Sequence, residues 1–70
     1  MERVAVRSSN LRSVGFDDGQ GELEVEFHGG RIYRYYGVPG SIYLGLIQAT
    51  SLGNFFATNI KNRYRSRRIC

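Results

Sequence analysis

From Glu22 to Phe27 the chain reads acid, leucine, acid, valine, acid, phenylalanine. Successive side chains of a strand point to opposite faces, so a two-residue period this strict fits a strand with one face in a core and the other in water. It predicts Leu23, Val25 and Phe27 buried, with the carboxylates of Glu22, Glu24 and Glu26 facing solvent. Seventy residues leave room for one core, so residues 1–70 form a single domain. A chain this short buries only about 60–65% of its unfolded surface, and its one cysteine, Cys70, cannot close an internal disulfide.

The flanking sequence extends that strand into a meander. Residues 11–16 offer a strand with Val14 and Phe16 on one face, and Asp17-Asp18-Gly19-Gln20-Gly21 supplies the turn to the next. Residues 4–7 suit a short edge piece, and the aromatic and β-branched run 31–36 suits a further strand. Two loops compete before that last strand. A two-residue Gly29-Gly30 turn sets Val25 opposite Arg34 and leaves Tyr33 and Tyr35 on the solvent face, at the cost of an arginine on the apolar side. A three-residue His28-Gly29-Gly30 loop, with Gly30 left-handed, sets Val25 opposite Tyr33, Leu23 opposite Tyr35 and Glu24 opposite Arg34. The second register is favoured because every residue gains a partner, and it makes Tyr33 and Tyr35 structural first.

The remaining third reads as two short helices. Pro39 suits a first helical position, and Ile42, Tyr43, Leu46 and Ile47 follow at amphipathic spacing until the helix ends near Ala49. Leu44 points away from that stripe. Thr50 or Ser51 caps a second helix carrying Leu52, Phe55, Phe56 and Ile60, with Lys61 at its C-terminal end, where the helix dipole favours a cation. The expected fold is α+β: a three-stranded antiparallel β-meander followed by two short helices packed on one face, with a core over about residues 4–62 and a basic tail over 63–70.

Charge is segregated along the chain. Residues 1–26 hold all six acids against three arginines, a net −3, whereas residues 27–70 hold seven basic residues and no acid, a net +7. Five of the seven, Lys61, Arg63, Arg65, Arg67 and Arg68, fall within eight positions around Tyr64. Such clustering is the footprint of polyanion binding, with guanidinium groups forking onto phosphates and Tyr64 stacking on a base. The competing interpretation is a solvated, frayed end. Glu22, Glu24 and Glu26 repel a phosphate backbone, so nucleic acid is expected on the helical and C-terminal side.

Enzyme chemistry finds no constellation here. His28 and Cys70 are each solitary, which excludes a zinc-like ligand spacing and leaves the thiol without a base. Asp17 and Asp18 read as solvated turn residues, and Ser8, Ser9 and Ser13 as strand-edge or capping hydroxyls. Gly37-Val38-Pro39-Gly40-Ser41 and Ser51-Leu52-Gly53 match no nucleotide-binding fingerprint. No cofactor or metal is expected. The apolar stretch at residues 42–47 is far short of the roughly 20 residues of a membrane span, and Val4-Ala5-Val6 is too short for a signal-peptide core, so a cytoplasmic location is expected.

Several of these segments together carry a family resemblance: Ser8-Ser9-Asn10-Leu11, Ser13-Val14-Gly15-Phe16-Asp17, Leu23-Glu24-Val25-Glu26-Phe27, Tyr33-Arg34-Tyr35, Gly37-Val38-Pro39, Tyr43, and Phe55-Phe56 with Ile60. Over about residues 4–68 the chain resembles the KTSC domain, a short module named for the lysyl-tRNA synthetase C-terminus, and Tyr-x-Tyr followed by Val-Pro is its most specific part. The family's tyrosine pair maps onto Tyr33 and Tyr35. Its members are either stand-alone bacterial proteins of this size or tails fused to some lysyl-tRNA synthetases. The resemblance implies RNA as a partner, with tRNA the candidate that the family's name suggests. This chain departs from the pattern at Arg65, where the family often has a proline after the tyrosine, and the substitution adds positive charge. The functional expectation is a non-catalytic RNA-binding module. Its rival is a protein-interaction or homodimerisation module using the exposed sheet edge, Leu44 and Tyr36.

Overall fold

The computed structural model describes residues 1–70 as an α+β domain. Strands β1 (Val4–Ala5), β2 (Leu11–Asp17), β3 (Glu22–Phe27) and β4 (Ile32–Tyr36) precede helices α1 (Gly40–Gln48) and α2 (Leu52–Asn59), and β5 (Ser66–Arg68) closes the chain. The strands form one sheet in the order β1-β2-β3-β4-β5, antiparallel throughout.

The sheet has five strands where three were expected. β1 is the short edge piece. The more consequential addition is β5, because residues expected in a tail separate from the core instead pair with β4: Tyr33 lies opposite Arg68, Arg34 opposite Arg67 and Tyr35 opposite Ser66. Arginine-rich sequence carries no apolar alternation to announce a strand. What orders it is the row of backbone groups that β4 would otherwise leave unpaired, and Tyr36 N–H donates to the Arg65 carbonyl at 2.9 Å as the pairing begins.

Register follows the three-residue loop. Leu23 pairs with Tyr35, Glu24 with Arg34 and Val25 with Tyr33. Phe27 N–H donates to the Arg31 carbonyl at 2.8 Å across His28-Gly29-Gly30, with Gly29 at φ 104° and Gly30 at φ 93°, conformations that an L side chain resists. On β2 a bulge between Leu11 and Ser13 resets the alternation, so Leu11 and Val14, three positions apart, both point inward and are fully buried.

The helices cover the inner face of the sheet. Ser51 caps α2 by accepting from Asn54 N–H at 3.2 Å. Pro39 stands one position earlier than expected, as the N-cap of α1, extended at ψ 151° with its carbonyl accepting from Ile42 N–H at 3.0 Å. Leu11, Val14, Leu23, Val25, Leu46 and Ile60 form the fully buried centre of the core, with Tyr35 and Phe56 beside them. Ile47, placed on the apolar stripe by its spacing, stays 39% exposed, as does Leu44 at 52%.

One carboxylate expected in water is buried. Glu24 is only 5% exposed because the N-terminal segment crosses the outer face of the sheet over Gly15, where a Cβ would come within 2.6 Å of the Glu2 carbonyl oxygen. That crossing brings Arg3 to Glu24 Oε1 at 2.5 Å, while Arg34 holds Oε2 at 2.6 Å. Burial on its own raises the Glu24 pKa, but hydrogen bonds from Arg34 and Arg3, with their charges, outweigh it and hold the group below its ordinary 4.5. The unfolded chain therefore takes up this proton first. Stability from ionised Glu24 is full above the ordinary value and lost as pH falls through the lower folded one. Glu24→Gln is expected to cost about 1–2 kcal/mol at neutral pH and to flatten the acid limb of stability. Urea midpoints from pH 3 to 7 check this, and parallel acid limbs for parent and variant would refute it.

Candidate functional site

Two helices of nine and eight residues cannot roof the inner face of a five-stranded sheet. The uncovered part, toward the β3–β4 loop, is an open cleft of about 520 Å3. Its floor is aromatic. Phe27, Tyr33, Tyr35 and Phe56 pack edge-to-face or tilted, with centroid separations of 5.4–6.5 Å. Phe27 and Tyr33 are half-exposed, whereas Tyr35 is buried.

The rim is basic. The Arg31 guanidinium lies 5.8 Å from the Phe27 ring centroid, within cation–π range, and Lys61 enters from the end of α2. His28 joins them and ties the loop down, its ring Nε2 lying 3.0 Å from the Ser8 carbonyl and its backbone N–H donating to the Asn10 carbonyl at 3.1 Å. No acid lines the cleft. Glu22, Glu24 and Glu26 lie on the opposite face, and Asp17 and Asp18 at the far end of β2 and β3.

The predicted cations are brought to one edge but divided between its two sides. Side chains of paired residues share a face, so Arg68, opposite Tyr33, belongs to the cleft side, and Arg67, opposite Arg34, to the outer side. Arg65 immediately precedes β5, its carbonyl accepting from Tyr36 N–H. Arg63 Nε donates to the Thr58 carbonyl at 2.9 Å and so secures the end of α2, and Arg68 Nε donates to the Cys70 carbonyl at 2.9 Å. All five cations remain exposed. Tyr64 is half-buried and packs against the core, so its ring is not free on both faces for stacking.

Tyr33 and Tyr35 sit in the register that made them structural, yet both also line the cleft. Sequence reasoning missed this double role, along with Arg31 and His28. The available signal was the length of the helical segments, too short to cover the whole inner face.

The KTSC domain model matches residues 7–64, most of the chain. The chain belongs to the KTSC domain family. An uncharacterized protein of Stutzerimonas stutzeri is 49% identical over 70 residues, covering 99% of both chains, and a protein of Tsukamurella paurometabola is 36% identical over 61 residues, covering 87% of this chain and 91% of that one. The crystal structure of a KTSC domain protein from Yersinia pestis superposes with a TM-score of 0.93 at 36% identity, covering 99% of this chain and 97% of that chain. The Tyr-x-Tyr of this KTSC domain thus spans core and cleft, one tyrosine buried and one half-exposed.

Burial, with the neighbouring Tyr33 adding to it, pushes the Tyr35 phenol from 10.0 up to about 12. Stability from keeping it neutral is fully present below its ordinary value and is lost as pH rises toward about 12. Ultraviolet titration is expected to show one tyrosine ionising late. Tyr35→Phe should remove that late step and weaken the alkaline loss of stability, and retention of the step in the variant would assign it to another tyrosine.

Proposed function

We propose that this KTSC domain is a non-catalytic RNA-binding module whose phosphate contacts run along β5 and the adjoining end of α2, from Lys61 to Arg68. The observation that supports this is the ordering of the basic segment. Cations held on a paired strand keep a fixed spacing along an open edge, which a frayed tail does not, and Glu24, on the outer face that Arg67 shares, is already held by Arg3 and Arg34. A polyanion approaching that edge meets the cations of β5 before it reaches any acid of β3. Contacts of this kind go to phosphates and carry no base information, so binding along β5 alone is sequence-tolerant. A cytoplasmic location belongs to the same proposal.

Arg65→Ala, Arg67→Ala and Arg68→Ala test it without disturbing the sheet, whereas truncation at residue 62 would strip β5 from β4. Each is expected to weaken binding to tRNA and to an unstructured RNA alike, and to flatten the single-strand salt dependence by about 0.7 for each phosphate no longer neutralised. Fluorescence anisotropy across a salt series measures both quantities. An affinity unchanged in the triple variant, or no binding at low salt, would end the proposal. In that event Leu44 and Ile47, exposed three residues apart on α1, favour a protein-interaction or homodimerisation role, which a concentration-dependent mass would support.

A further inference from the structure

We infer that the cleft between α2 and β4 receives one nucleotide of a bound single strand, its base on the aromatic floor and its phosphate at Lys61 and Arg31. This rests on the RNA-binding proposal and adds a base-receiving site to its phosphate contacts.

The chemistry of the lining selects the occupant. Phe27 and Tyr33 are half-exposed residues of the floor, with the Arg31 guanidinium over the Phe27 ring, a set of planar groups suited to a flat π-system. Asn10, Asn62 and Ser66 also line the cleft, and none of the protein's side-chain hydrogen bonds uses their side chains. They offer donors and acceptors at a site that a purely apolar ligand would leave unmatched. A bare phosphate would leave the aromatic floor unused. A heteroaromatic base carrying an anion uses all three sets of groups, and the absence of any lining acid suits that anion.

Space and continuity agree with this chemistry. Gly53 and Ala57, four residues apart on α2, leave the helix face toward the cleft bare but for one methyl group. The volume of about 520 Å3 lies within the range of small-ligand sites. Ser66 is both the first residue of β5 and part of the lining, so a backbone running along the basic edge passes the mouth of the cleft.

Ala57→Trp fills the cleft without altering charge, and because Ala57 is exposed the new ring need not enter the core. Adenosine 5′-monophosphate, uridine 5′-monophosphate and ribose 5-phosphate, followed by amide chemical shifts, are the probes. Both nucleotides are expected to shift Tyr33, Ala57 and Lys61 in a saturable way, and ribose 5-phosphate is not expected to shift Tyr33 or Ala57. Ala57→Trp should abolish the nucleotide shifts and weaken single-stranded RNA binding roughly tenfold, with the salt slope shallower by no more than about 0.7, the share of the one phosphate held at Lys61 and Arg31. Ala57→Leu, a smaller intrusion, serves if the tryptophan variant does not fold. RNA binding that persists at parental strength in the folded variant, or equal shifts from ribose 5-phosphate, would overturn the cleft assignment and leave the edge-strand proposal standing. Failure of RNA to bind the parent chain at low salt would remove both.

Discussion

The carboxylate of Glu24 joins parts of the chain that have no other reason to meet. It accepts from Arg34 on the neighbouring strand and from Arg3 on the N-terminal segment, and Arg3 also donates to Ser13 Oγ, which in turn donates to Glu26 at 2.8 Å. These contacts tie β2, β3 and β4 together on the outer face and hold the N-terminal crossing over Gly15. Arg34 Nε is the one buried side-chain polar atom left without a hydrogen bond, 3.9 Å from the nearest Glu22 oxygen. With acids and arginines engaged together there, Arg3 and Arg34 are taken up within the fold, and the cations proposed to meet a ligand lie at the β5 edge and the cleft.

Local pattern carried most of the fold. Alternation located β3, loop chemistry at His28-Gly29-Gly30 fixed the β3–β4 register, and apolar spacing placed both helices. The burial of Glu24 was not legible, because it depends on Arg3 arriving from 21 residues away through a segment without periodicity. The β2 bulge was hidden for a related reason: the skipped residue, Arg12, resembles any other exposed strand position.

The site was legible in part. Clustered cations marked the right edge of the molecule, but β5 is a strand only because β4 lies beside it, and no propensity in Ser66-Arg67-Arg68 says so. Tyr33 and Tyr35 were placed correctly as inward-facing residues. Their second role depends on where the helical roof stops, a property of element lengths rather than of any residue. Core packing and cleft lining are therefore one continuous aromatic layer here, separated by exposure.

An outermost strand is ordinarily a place where a second copy of a chain adds itself, since its free N–H and C=O groups accept any extended partner. β5 occupies that place with arginines at two of its three positions. Two such strands laid side by side would set guanidinium near guanidinium, with no acid on either to relieve them. Like charge thereby opposes a second copy at this edge and favours chains of opposite sign, so the residues proposed to hold a phosphate backbone also work against edge-to-edge pairing of the protein with itself.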